Sequence, residues 1–351
     1  MSEEIIAVRE GGLGRLTLNR PQALHALTTV VCSTCITALL DWKDDPAVEA
    51  VLIDHAGARG FCAGGDIRML AESGAADGRL AREFFFIEYR LNHLLFSYPK
   101  PVIAVMDGIT MGGGVGLSAP ARFRIATERT TFAMPETGIG LFPDVGGGWF
   151  LPRLPGRIGL WLALTGARIK AADCLRAGLA THYVPSERLP ELKAALARNL
   201  QDIEGLLAQF HVDPGPAPVD AHRAELDAAF GGGSVEAILA ALEAGSDWAR
   251  AQAAALKTKS PQTLKVAFRQ LALGLAAPDF AANMAMEYRI GARVVQRHDF
   301  LEGVRAVIVD KDNAPKWNPA TLEGVGEDLL DAIFAPLPAD QEWSPLERTS
   351  Q

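Results

Sequence analysis

A chain of 351 residues, 49% hydrophobic and 22% charged, has enough apolar material for a buried core, in one large domain or two smaller ones. Its formal net charge of -8, with no dense Lys/Arg run, argues against a nucleic-acid partner; a polyanion such as coenzyme A would be held only by local donors. No stretch approaches the ~20 consecutive apolar residues of a membrane span, so no membrane partner is expected, and the acidic start Met1-Ser2-Glu3-Glu4 reads as cytoplasmic rather than as a secretory or import signal.

Two short strand patterns, Ile5 to Val8 and Leu13 to Leu18, flank Gly11-Gly12 and predict a hairpin. Thr28 to Lys43 reads as helix. It contains Cys32 and Cys35, whose C-x-x-C spacing inside an apolar helical run fits small buried residues better than a redox pair. Val48 to Asp54 reads as strand, Gly57 to Gly65 as a glycine-rich loop, and Asp66 as the start of a helix. Arg79 to Ser97 reads as a long helix. Pro101 to Met106 is apolar without alternation, as in a strand buried on both faces. A glycine-dense turn at 112 to 116, a strand at Phe123 to Ala126 and an unusual loop from Met134 to Gly148 follow. This alternation indicates an α/β core with largely parallel strands up to about residue 185. Beyond Ser186 the chain reads as helical. Ser260-Pro261 forms a cap and helix start, and Asp299 with Glu302 is expected to cap another.

Several signatures are missing. There is no G-x-S-x-G elbow and no H-E-x-x-H pair, so no metal site is expected. Asp310-Lys311-Asp312-Asn313 lacks the glycine and distal Glu of a calcium loop and reads as a solvated helix end. What remains is glycine geometry and acids. Phe61 to Asp66 and Met111 to Gly114 each end a loop or strand and open a helix, offering free N–H groups to a developing oxyanion. Each could equally be a glycine needed for packing. Glu136 and Asp144 stand eight positions apart among Met134, Ile139, Leu141 and Phe142. Desolvation there would raise their pKa values and suit acid–base or nucleophilic work, although Asp144 could instead cap the following helix.

Residues 5 to 185 resemble the enoyl-CoA hydratase/isomerase (crotonase) superfamily, through Leu18-Asn19-Arg20-Pro21 with Ala23-Leu24, Phe61 to Asp66, the triple glycine at 112 to 114, and Pro135-Glu136. The resemblance implies a crotonase-like (ClpP/crotonase) core of repeated ββα units over 1–200, with a helical C-terminal region over 201–351. It implies an oxyanion hole at the Gly65 and Gly113 amides, coenzyme A against the main chain of Ala23, Leu24 and Ala63, and no cofactor beyond the coenzyme A of the substrate. Hydratases of this family carry a catalytic glutamate where this chain has Gly116. Glu136 with Asp144, the run Gly108 to Ser118, and Met286 to Arg289 are instead similar to the 3-hydroxyisobutyryl-CoA hydrolases.

That implies hydrolysis of a short hydroxyacyl-CoA thioester, as in valine breakdown, with Glu88 contacting the substrate hydroxyl and Arg68 as a candidate for the coenzyme A phosphates. An enoyl-CoA hydratase or isomerase using Glu136 alone, and a non-catalytic acyl-CoA-binding protein, are the alternatives. Family members often assemble as homo-oligomers.

Overall fold

The computed structural model describes residues 4–57 and 59–347. It contains two compact units, each assembled from three separate stretches. Met1–Gly65, Arg90–Ala133 and Arg168–Pro218 form the first; Asp66–Tyr89, Met134–Ala167 and Val219–Gln351 form the second. The units therefore interleave along the chain rather than dividing once near residue 200, and Glu136 and Asp144 belong to the unit that holds the late helices.

The first unit is built on β1 (Ile5–Glu10), β2 (Leu13–Leu18), β3 (Ala50–His55), β4 (Gly60–Cys62), β5 (Val102–Met106), β6 (Ile109–Met111), β7 (Phe123–Ala126), β8 (Thr131–Ala133) and β9 (His182–Tyr183). The main sheet runs β1-β2-β3-β5-β7-β9 and a small one β4-β6-β8. Among the described strand pairs the β1–β2 hairpin is antiparallel and the remaining pairs of both sheets are parallel. Each of β3, β5 and β7 hands the chain to a three-residue strand of the small sheet, which is the strand part of a repeated ββα unit. Every residue of β3 and β5 is buried, which explains the unbroken apolar run of β5 and of Ala50 to Ile53 in β3. Leu52, Ile103, Val105 and Ile125 pack with Leu192, Leu196, Leu207 and Phe210 of the helices Leu189–Arg198 and Ile203–Phe210. The helix α1 (Thr29–Asp44) is capped by Thr28, which accepts from the Val31 amide at 3.2 Å, and buries Cys32 and Cys35 as expected of packing residues.

The small sheet departs from the sequence reading, which treats Gly57 to Gly65 as loop. Its strands are too short to show a period, and their pairing partners lie about 50 and about 20 residues away in the chain. The glycine run also differs. Gly113 to Gly116 are helical residues of Gly113–Ser118 rather than a turn before it. A Cβ on Gly114 would lie 2.4 Å from the Cys62 carbonyl oxygen, so close backbone approach outweighs the ~1 kcal/mol that helical glycine costs.

The second unit holds α2 (Ile67–Ala75), the start of α3 (Arg79–Phe96) and a series of late helices. Ser260 caps Pro261–Ala276 as its sequence indicates, accepting from the Thr263 amide at 3.1 Å. The expected Asp299/Glu302 cap does not form. The helix His298–Val304 has Arg297 at its cap position with no side-chain cap bond. Asp299 instead accepts from the Asn318 amide at 2.7 Å and from the Ser260 hydroxyl. Glu302 accepts from the Lys316 amide at 2.8 Å and pairs with Arg305. Both acids tie down the segment that follows, a long-range demand that outcompetes local capping. Asp310 and Asp312 pair with Arg305 at 2.6 and 2.7 Å. Among the described residues no helix is long and apolar enough to cross a membrane.

Candidate active site

The candidate groups of the first unit are main-chain ones. The 3-10 turn Pro21–Ala23 runs into Leu24 and His25, both left-handed with φ of 48° and 56°. That turn lets the Leu24 carbonyl accept from the Ala63 amide at 3.0 Å, while Leu27 donates to the Gly64 carbonyl at 2.8 Å. Ala23, Leu24 and Ala63 are thereby gathered in one place. Gly64 is buried with φ of 120°, and a Cβ there would lie 3.9 Å from the Gly113 nitrogen, so the two glycine turns touch. Gly113 is the first residue of its helix, and such an amide has no intrahelical acceptor. Among the described residues neither the Gly65 nor the Gly113 amide donates a main-chain hydrogen bond. Gly116 is buried in the same short helix.

In the second unit the site is made of acids. Glu88 and Tyr89 are adjacent on α3 and both buried. Glu136 opens the 3-10 turn Glu136–Ile139, closed by a 3.0 Å bond from the Leu141 amide to the Glu136 carbonyl. Among the described residues its Oε2 is buried without a hydrogen-bond partner, as is Oε1 of Glu88. Asp144 does not cap the next helix with its side chain; it accepts from the Tyr89 hydroxyl at 2.9 Å. Val145 follows with φ of 54°, a conformation that costs a β-branched residue ~1–3 kcal/mol. Arg68 stands exposed on the first turn of α2.

Burial sets the electrostatics. It pushes Asp144 up to about 7, and the Tyr89 hydrogen bond holds it below the value burial alone would give. Burial, then the Asp144 charge, raises Glu136 well above the ordinary carboxylate range; burial, then Asp144 and Glu136, does the same to Glu88. Burial and the neighbouring Asp144 charge raise the Tyr89 phenol, which therefore stays a donor. Burial and mutual repulsion thus disfavour the charged form of all three carboxyls, and buried acids whose proton affinities are shifted in this way suit acid–base work. Among the described residues no three His, Cys, Asp or Glu side chains are placed to hold a metal ion.

Glu287 is the member that sequence reasoning missed. It lies on the helix Phe280–Val294 and accepts from the Gly146 and Gly148 amides, each at 2.8 Å. Asn283 donates to it at 2.9 Å and Gln270 at 3.2 Å, and Gln270 also donates to the Pro143 carbonyl at 2.7 Å. Burial pushes Glu287 up to about 8, against the pull of these donors. The network grips the main chain on both sides of Asp144 and Val145. Its sequence signal is a single Glu in the buried helical stripe Phe280, Met284, Glu287, Gly291, Val294. Tyr89 had no signal beyond its place beside Glu88.

The profile of the enoyl-CoA hydratase/isomerase family matches residues 13–334. The chain is 47% identical over 344 residues to a 3-hydroxyisobutyryl-CoA hydrolase, mitochondrial, of Danio rerio, covering 95% of this chain and 90% of that one. It is 43% identical over 346 residues to the protein of the same name from Homo sapiens, covering 96% and 89%. Among solved structures it is similar to a carnitinyl-CoA dehydratase from Mycobacterium thermoresistibile, with a TM-score of 0.93 and 41% identity over 98% of this chain and 99% of that one. It is also similar to an enoyl-CoA hydratase from Rhodobacter sphaeroides 2.4.1, with a TM-score of 0.90 and 40% identity over 97% and 99%.

Proposed function

The chain belongs to the enoyl-CoA hydratase/isomerase family, and on that footing we propose that it hydrolyses 3-hydroxyisobutyryl-CoA to 3-hydroxyisobutyrate and free coenzyme A, a step of valine breakdown. The observation that carries this reading is the burial of three carboxyls, Glu88, Glu136 and Asp144, with Tyr89 donating to Asp144 at 2.9 Å and one oxygen each of Glu88 and Glu136 unpaired among the described residues.

Thioester hydrolysis needs an oxyanion site, a nucleophile and a proton for the departing thiolate. The Gly65 and Gly113 amides are the donors for the carbonyl oxygen; losing one such donor raises a barrier by about 3 kcal/mol. Glu136 acts on the carbonyl carbon by one of two balanced routes. Its carboxylate adds to the carbon, the C–S bond breaks, and water then cleaves the resulting anhydride and returns the carboxylate. Alternatively, Glu136 takes a proton from a water that adds directly. In both, Asp144, oriented by Tyr89, delivers the proton to the thiolate sulfur. Glu88 receives the substrate hydroxyl. The main chain of Ala23, Leu24 and Ala63 lies along coenzyme A, and Arg68 serves its phosphates. Water is the only co-reactant.

A hydratase reading draws on the names of the similar solved structures. Against it stands Gly116, which puts no carboxylate where family hydratases carry their second glutamate. Purified protein is given 3-hydroxyisobutyryl-CoA while free thiol is followed colorimetrically, and crotonyl-CoA absorbance is followed in parallel. Thiol release is the expected result. Loss of crotonyl-CoA absorbance without thiol release would establish a hydratase, and binding without turnover an acyl-CoA carrier. On compartment, the sequence-based expectation is cytoplasmic, whereas the curated relatives are named mitochondrial; fractionation of the host cell decides between them.

A further inference from the structure

α3 carries a second buried polar side chain that the reading above leaves unused. Asn92 is 0% exposed, and among the described residues neither its Oδ1 nor its Nδ2 has a hydrogen-bond partner. It follows Glu88 by four residues. Side chains at that spacing share a helix face, one turn apart, and Glu88 also has a buried oxygen without a partner. Buried polar groups are almost always satisfied, because leaving them unpaired is costly. A helix face with an unpaired carboxyl and an unpaired carboxamide calls for a molecule that brings a donor and an acceptor together. A hydroxyl is such a group, with one O–H to give and two lone pairs to receive.

We propose that Asn92 is a specificity residue: its Nδ2 donates to the hydroxyl oxygen of the acyl chain, while that hydroxyl donates to Glu88. The inference rests on the hydroxyacyl-CoA reading and deepens it by naming the side chain that completes hydroxyl recognition. Acyl chains lacking the hydroxyl are selected against, because binding them strands two buried polar groups.

The test compares kcat/KM for 3-hydroxyisobutyryl-CoA and isobutyryl-CoA in the wild type and in Asn92→Leu, which keeps the volume and removes the polar atoms. Glu88, Glu136 and Asp144 stay intact. The wild type prefers the hydroxylated thioester. In Asn92→Leu that preference falls by ~10–100-fold, almost wholly through slower turnover of the hydroxylated substrate. The isobutyryl-CoA rate and the Tm are maintained. An unchanged preference, or equal losses on both substrates, overturns the inference and leaves the hydrolase reading standing. A wild type that releases thiol from neither substrate overturns both. Should Asn92→Leu fail to fold, Asn92→Ala reads the same ratio, with the same outcomes deciding.

Discussion

The two units carry chemical groups of opposite kinds. The first offers main-chain amides, fixed by left-handed turns at Leu24, His25 and Gly64 and by a helix packed so closely that Gly114 has no room for a methyl group. The second offers carboxyls, held by side chains from distant stretches: Tyr89 on Asp144, and Glu287 with Gln270 and Asn283 on the main chain around it. Amides do not titrate, so the first contribution is indifferent to pH and sensitive to shape. Buried acids are the reverse. Their chemistry depends on proton occupancy, and their burial costs stability whenever they ionise.

Substitutions separate the two contributions. The largest expected effect is that of Glu136→Gln, which removes the proposed nucleophile or base while keeping shape. Thiol release should drop by ~10³-fold or more in kcat with KM little changed; retention of more than a tenth of the rate would take Glu136 out of the chemistry. Gly114→Ala tests the other side. Its methyl group would push the helix off Cys62, so a ~10²-fold loss of kcat is expected, together with a lower Tm and an unaltered pH profile. A shifted profile would mean that the amide site and the acids are not separable.

Glu287→Gln is next. It places an amide NH2 among four donors, so loosening of the loop should lower kcat by ~10-fold and stability by ~1–3 kcal/mol. Full activity in a stable protein would show that the grip on Gly146 and Gly148 does not position Asp144. The smallest effect concerns stability alone. Glu88 has a raised pKa in the fold, so the folded state keeps a proton that the unfolded chain releases above about pH 4.5. Its contribution is therefore intact at low pH and is lost as pH rises through the window above 4.5. Glu88→Gln should raise Tm by ~2–4 °C at pH 8 and leave it unchanged at pH 4; equal Tm values at both pH values would argue that Glu88 is not buried as a neutral acid.

The same contrast governs what was legible before folding. Glycine turns advertise themselves, because few other residues tolerate φ of 120° or a contact such as that of Gly114 with Cys62; the two turns at 61 to 66 and 111 to 114 could be read from the chain, and only the family resemblance singled out Gly65 and Gly113 within them. Glu136 and Asp144 stood out as acids in an apolar run. Their partners did not. The Tyr89–Asp144 bond spans 55 residues and the Gly146–Glu287 bond 141, distances over which no local pattern carries information. Long periodic elements such as Leu13–Leu18 and Pro261–Ala276 were legible for the same reason that the three-residue strands β4, β6 and β8 were not: a period needs several repeats. The interleaving of the two units was hidden as well, since each stretch reads as ordinary helix or strand wherever it packs.

The most direct measurement of the central claim is the pH dependence of kcat/KM for thiol release from 3-hydroxyisobutyryl-CoA, in the wild type and in Tyr89→Phe. With one proton shared by Glu136 and Asp144, activity should rise with pH through about 7 as Asp144 ionises in the free enzyme. Removing the Tyr89 hydroxyl, which stabilises the Asp144 carboxylate, should move that limb to higher pH. A wild-type rate that stays flat from pH 5 to pH 8, or a limb that stays in place in Tyr89→Phe, would contradict the account.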